Sequence, residues 1–220
     1  PMTVEQKLAD VKGRIKAAEK TARRSVGEVQ LVAVSKTFDV EDIRPVIAAG
    51  HRVFGENRVQ ESQGKWPVLK QEPADLELHL IGPLQSNKAA EAVALFDVIE
   101  TVDREKIAAA LAQEMTKQCR KVRLYVQVNI GMEPQKAGIA PKETAAFLRY
   151  CREELALEIE GLMCIPPAED HPGPYFSLLR KLAEENDITK LSMGMSGDFE
   201  TAVQFGATSV RVGSAIFGAR

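Results

Sequence analysis

The sequence is short of cysteine, of long apolar runs and of excess charge, and each shortage narrows the field. Its three cysteines, Cys119, Cys151 and Cys164, are scattered with no CxxC or other metal-ligand spacing, which leaves no zinc-type ligand set to read. Free thiols of this kind suit a reducing compartment, and the expected location is cytoplasmic. No apolar stretch approaches the roughly 20 residues of a membrane-spanning helix. The first residues are charged and helix-patterned, unlike a secretory leader. A formal net charge of -2 and an isoelectric point near 6.1 give neither nucleic acid nor an anionic membrane a reason to bind. No strand candidate ends in the GxGxxG turn of a dinucleotide fold.

What is present is an ordinary globular composition, 45% hydrophobic and 27% charged, laid out in a repeating pattern. Thr3 to Arg24 reads as an amphipathic helix, with Val4, Leu8, Val11, Ile15 and Ala18 at alternating spacings of four and three. After Gly27 short apolar runs alternate with helical patterns. Strand candidates are Leu31–Ser35, Arg52–Gly55, Leu76–Ile81, Asp97–Val102, Val122–Ile130, Leu157–Ile165, Lys190–Met195 and Ser209–Val212. Helices are expected over Val40–Ala49, Asn57–Lys65, Asn87–Leu95 with Ser86 as cap, Arg104–Lys117 with Asp103 as cap, Pro141–Cys151, Tyr175–Glu185 and Asp198–Phe205. About eight β–α alternations, with no linker between them, predict a single α/β domain over 1–220, a TIM-type (β/α)8 barrel. Residues 1–27 add an N-terminal helix packed on it. An open doubly wound sheet is the alternative architecture.

Period-two alternation sorts the strands into a helix-facing side and an interior side. Leu76, Leu78 and Leu80 share one face, leaving Glu77, His79 and Ile81 on the other. Likewise Arg123, Tyr125, Gln127 and Asn129 face inward, as do Ser209, Arg211 and Gly213. Each has a purely structural reading, since His79 can be a satisfied interior histidine and Arg211 a partner of Glu77 or Glu100. Several of these residues nevertheless fall near strand C-termini, where barrel active sites are built. Lys36 closes the first strand candidate, in register with Val32 and Val34. An inward lysine there is partly desolvated, which favours the neutral nucleophilic amine of a Schiff base; the alternative is a lysine that snorkels to water.

At the far end, Ser192-Met193-Gly194-Met195-Ser196-Gly197-Asp198 and Arg211-Val212-Gly213-Ser214 follow the last two strand candidates. Such barrels commonly bind phosphate there, through small residues and the N-terminus of a short helix. Gly and Ser are also frequent in plain turns. A lysine facing a phosphate cradle suggests pyridoxal 5'-phosphate. A Schiff-base aldolase acting on a phosphorylated sugar would want the same parts.

Five blocks carry a family resemblance. They are Ala33-Val34-Ser35-Lys36-Thr37, Phe54-Gly55-Glu56-Asn57-Arg58-Val59-Gln60-Glu61, His79-Leu80-Ile81-Gly82-Pro83-Leu84-Gln85-Ser86-Asn87-Lys88, Ser192-Met193-Gly194-Met195-Ser196 and Arg211-Val212-Gly213-Ser214-Ala215-Ile216-Phe217-Gly218. In this order they resemble the signature blocks of the YggS/PROSC-type pyridoxal phosphate homeostasis proteins. The resemblance implies a barrel like the N-terminal domain of alanine racemases, with pyridoxal phosphate held as a Schiff base on Lys36. It implies a phosphate turn at Gly213 and Ser214 with Ser196 nearby, Arg211 against the pyridine nitrogen, and Asn57 and His79 lining the ring pocket. Arg58 stands where many relatives carry tyrosine, and Lys136-Ala137-Gly138 resembles the family's Lys-x-Gly loop. The chain ends just after the last block, so the racemase C-terminal domain with its tyrosine acid/base is expected to be missing. Two-base racemisation needs groups on both faces of the substrate, and only Tyr125 among the tyrosines has inward parity. The expected function is storage, buffering or delivery of pyridoxal phosphate by a monomer, with pyridoxal-dependent apo-enzymes as partners. The alternative is a weak amino-acid racemase using Lys36 as base.

Overall fold

The computed structural model describes residues 1–71 and 73–219. Helix α1 (Val4–Thr21) starts on a reciprocal cap in which the Gln6 N–H donates to the Thr3 hydroxyl and the Thr3 N–H to the Gln6 side chain. β1 (Gln30–Val34), α2 (Val40–Ala48), β2 (Val53–Glu56), α3 (Val59–Gln63) and α4 (Trp66–Leu69) follow. Next come β3 (Glu77–Leu80), α5 (Ala89–Leu95), β4 (Val98–Val102), α6 (Glu105–Lys117), β5 (Arg123–Gln127) and α7 (Thr144–Arg149). The chain continues through β6 (Ile159–Met163), α8 (Gly173–Glu185), β7 (Lys190–Ser192), α9 (Phe199–Gln204), β8 (Ser209–Val212) and α10 (Ser214–Phe217). Every strand pairs in parallel with the next, and β8 pairs with β1, so the eight strands close into a barrel. The α1 stripe of Leu8, Val11, Ile15 and Ala18 is buried, and the helix packs against α2, α9 and α10.

Alternation along the strands separates two interiors. Leu31, Ala33, Phe54, Leu78, Leu80, Val126, Val210 and Val212 belong to the large core between strands and helices. Inside the lumen Val98, Tyr125 and Met163 form a small apolar cluster, while His79, Glu100, Ser192 and Arg211 are also buried there. The helices thus rest on apolar strand faces, and the lumen keeps a polar column.

Several local expectations differ from what the backbone does. β5 stops at Gln127, because Val128 makes only an isolated bridge to Ile139 and Asn129 turns away to hold Glu133, accepting its N–H at 3.1 Å and donating to its carbonyl at 2.8 Å. Of the helix expected over 57–65 only α3 (Val59–Gln63) forms; it ends at Gly64, and a separate short helix, α4, follows from Trp66. Ser86 opens a 3-10 turn without a side-chain cap. Asp103 does not cap α6; its carboxylate accepts the Gly138 N–H at 2.9 Å instead. The segment beginning at Pro141 enters through a 3-10 turn and leaves α7 through a π turn over Tyr150–Glu154. Among the described residues no helix is long and apolar enough to cross a membrane, and no His/Cys/Asp/Glu group could hold a metal ion.

Candidate functional site

Lys36 sits just past β1, on the face set by Val32 and Val34, and lines a cavity of about 230 Å³ at the C-terminal mouth of the barrel. Asn57 reaches the same cavity from the end of β2. Its backbone position depends on Gly82, where a Cβ would come within 2.2 Å of the Asn57 carbonyl oxygen, so only glycine lets the two loops approach this closely. Ser196 and Gly197 come from the loop after β7, and Arg211, Gly213 and Ser214 from β8 and the start of α10. Ile81, Ile165 and Met195 supply the apolar wall.

Past the end of β8, which pairs with the Lys36 strand, and on the loop after β7, the cavity is lined by small residues. Gly194 has φ +105°, and a side chain there would strike Ala202 at 2.6 Å, so the β7–α9 loop folds tightly against α9. The Ser196 hydroxyl accepts the Ala215 N–H at 3.3 Å, tying this loop to α10. The Ile216 and Phe217 N–H groups donate to the Gly213 carbonyl, each at 2.9 Å, so what this turn offers to phosphate oxygens is the Ser214 N–H with the Ser196 and Ser214 hydroxyls. At about 230 Å³ the space is on the scale of one substituted ring.

Below the cavity lies a continuous chain of charged and polar groups. Arg211 donates to the Ser192 hydroxyl at 2.6 Å and to the Cys164 carbonyl at 2.9 Å. Ser192 is bonded to one Glu100 oxygen. The other Glu100 oxygen meets His79 Nδ1 at 2.6 Å, and His79 Nε2 meets Glu77 at 2.6 Å. Glu77 accepts from Arg123 at 3.1 Å, and Arg123 also pairs with Glu160 at 2.7 Å. Burial works against an imidazolium at His79, but Glu100 and Glu77 outweigh it and raise the pKa to about 9. The hydrogen bond from His79 draws Glu77 down to about 2. Burial likewise opposes ionisation of Glu100, and the His79 hydrogen bond overcomes it, leaving its pKa lowered. Burial pushes the Cys164 thiol up to about 12, so it is no nucleophile at neutral pH.

The structure therefore brings Lys36, Asn57, Ser196, Arg211, Gly213 and Ser214 to one cavity, but not His79. That histidine is 1% exposed and lies in the lumen beneath, in the Glu100–Glu77 column. Parity alone puts a β3 residue inside the barrel without fixing its height, which is why the sequence does not distinguish the two places. Ile165 and Met195, which complete the wall, carry no chemistry that a sequence reading could use. Lys136 lines a neighbouring cavity, also about 230 Å³, that shares Asn57, Ile81 and Ile165 with the first. A larger space of about 590 Å³ lies far from this mouth, beside Arg24 and Arg180, which are paired with Glu28 and Glu184.

Fold and site together define an alanine-racemase-type barrel: the family model described as "Alanine racemase, N-terminal domain" matches residues 8–220. A Pasteurella multocida protein named pyridoxal phosphate homeostasis protein is 40% identical over all of this chain and 98% of its own length. The solved structures of PipY from Synechococcus elongatus PCC7942 superpose over 98% of this chain and all of theirs. The form without pyridoxal phosphate gives a TM-score of 0.88 at 38% identity, and the form with it bound gives 0.85 at 36%. The chain belongs to the pyridoxal phosphate homeostasis protein family.

Proposed function

We propose that this protein binds pyridoxal 5'-phosphate in the Lys36 cavity and serves its homeostasis by storing, buffering or delivering it. One observation carries the reading: a lysine past the end of β1 and a Gly-Ser turn past the end of β8 border a single ring-sized cavity. When bound, pyridoxal 5'-phosphate supplies an aldehyde that amines capture and a ring that acts as an electron sink. Lys36 would hold it through its amine, Gly213, Ser214 and Ser196 would take the phosphate, and Asn57 would line the ring pocket. Arg211, bonded to the Ser192 hydroxyl and the Cys164 carbonyl, would stand against the pyridine nitrogen; a guanidinium there would disfavour protonation of that nitrogen and weaken the electron sink relative to a carboxylate partner. Such an arrangement suits holding a cofactor better than turning over a substrate. The protein works as a cytoplasmic monomer whose clients are pyridoxal-dependent apo-enzymes. The naming of its relatives and the ligand bound in PipY support the binding of pyridoxal 5'-phosphate and the homeostasis role.

The test is a spectrum. Protein incubated with pyridoxal 5'-phosphate and desalted is expected to retain a visible absorption band and, after borohydride, a stable adduct on the Lys36 peptide. Protein that stays colourless overturns the reading, and steady racemisation of alanine above a free-cofactor control replaces it with the enzyme alternative.

A further inference from the structure

Thr37, directly after Lys36, has φ +70°, a left-handed backbone that a β-branched residue rarely adopts. The Phe38 N–H donates to the Ser35 carbonyl at 3.1 Å, closing a tight turn with Lys36 and Thr37 at its centre. Turns with positive φ at the second central position ordinarily carry glycine there. Something outside the turn must hold it.

A single buried cation does much of this. The Lys65 ammonium, 8% exposed, donates to the Ser35 carbonyl at 3.1 Å and to the Phe38 carbonyl at 2.8 Å, one on each side of Lys36. It also lies 2.9 Å from both Glu56 and Glu61. Glu61 accepts the Thr37 N–H at 2.6 Å. Glu56 accepts the Ser35 hydroxyl at 2.5 Å and the Trp66 indole N–H at 3.1 Å. Backbone groups before and after Lys36 are thus bonded to one ion cluster carried by β2, α3 and the α3–α4 junction.

We infer that Lys65, Glu56 and Glu61 are positioning residues for Lys36: they hold the strained turn that presents its amine to the cavity. Lys65 is no second attachment point, because its donors are spent on carbonyls and carboxylates in the core. This inference deepens the proposed role of Lys36 and rests on it. A structural ion pair would stabilise the barrel wherever it sat. A positioning cluster must also set the reactivity of Lys36 itself.

Lys65→Met strands Glu56 in the core without its cation and is expected to destabilise the fold, so part-exposed Glu61 carries the test. Two quantities are read on the full chain: the Kd for pyridoxal 5'-phosphate by absorbance, and the pH profile of Lys36 acetylation by acetic anhydride without cofactor. Peptide mass spectrometry follows the acetylation, with surface Lys88 as internal reference. Glu61→Ala, which removes the Thr37 acceptor, is expected to raise Kd about tenfold and to move the Lys36 profile toward that of Lys88. Glu61→Gln, which keeps an acceptor oxygen, is expected to recover most of both. A folded Glu61→Ala protein whose Kd and Lys36 profile both stay within about twofold of wild type overturns the positioning role. If the wild-type chain takes up no pyridoxal 5'-phosphate, the proposed function fails on its own, and the acetylation profile still decides whether Glu61 sets Lys36.

Discussion

At the barrel mouth Lys36, Asn57, Ser196 and Ser214 are half-buried or exposed and border an open cavity. In the lumen below, Glu77, His79, Glu100, Ser192 and Arg211 are bonded to one another in an unbroken column. The contrast separates two jobs. Polar groups at the mouth border a space that a ligand can enter, whereas those in the column satisfy each other and make the floor rigid. Arg211 belongs to both regions, with one side on the cavity and its guanidinium anchored in the column. Removing a residue of the mouth alone should therefore cost binding and spare stability, removing one of the column alone should do the reverse, and removing Arg211 should cost both.

The sharpest break in that division comes from Lys36→Ala. It is expected to abolish the absorption band and the borohydride adduct entirely while unfolding free energy stays within about 0.5 kcal/mol of wild type. Glu100→Ala sits at the other extreme. Leaving His79 without this carboxylate and Ser192 without its acceptor is expected to cost about 3–5 kcal/mol in denaturant unfolding, because a buried charge loses its partner. A loss below about 1 kcal/mol would erase the distinction between floor and mouth.

The column should also give stability a pH signature. His79 has a folded pKa of about 9, above its ordinary 6.5, so its contribution is full below pH 6.5 and fades as pH rises through 9. That contribution is on the order of 3 kcal/mol at about 1.36 kcal/mol per pKa unit. Glu77, drawn down to about 2 from 4.5, contributes above pH 4.5 and loses its share as pH falls toward 2. Urea unfolding across roughly pH 5 to 10 should show the alkaline loss in wild type and not in His79→Gln. The smallest expected effect returns to the mouth. Ser214→Asp places a carboxylate beside the phosphate turn and should weaken pyridoxal 5'-phosphate binding about tenfold, roughly 1.4 kcal/mol, with the thermal midpoint unmoved.

The barrel was legible because most strands carry an apolar face and are followed by a helical period, as with Leu76, Leu78 and Leu80 or with Leu124, Val126 and Val128. Element ends were less so. Nothing in Val128-Asn129-Ile130 signals that Asn129 will leave the sheet to fold the next loop, since that choice depends on Glu133 arriving beside it. Asp103 has the right chemistry for a helix cap but is claimed by Gly138, 35 residues away. Lys36, Asn57, Ser196, Gly213 and Ser214 lie past the ends of their strands, where chain order and barrel closure place them at the mouth. Arg211 and His79 hold the same next-to-last place in β8 and β3, so position along the strand does not tell which of the two reaches the cavity. Lys65 and Glu56 went unread for a similar reason: their link to Lys36 runs through backbone carbonyls and a turn that no pattern of residue types announces.

The chain has one tryptophan, and it is part of that support. Trp66 is buried, its ring 5.1 Å from Phe54 and its indole N–H on Glu56, the carboxylate that also takes the Ser35 hydroxyl. In optical terms the protein has a built-in, site-specific reporter: all tryptophan emission originates beside the carboxylate that braces the turn bearing Lys36. If the cavity takes the ligand proposed for it, its loading is expected to change the emission of a fluorophore that touches the lysine's scaffold and lies outside the cavity lining.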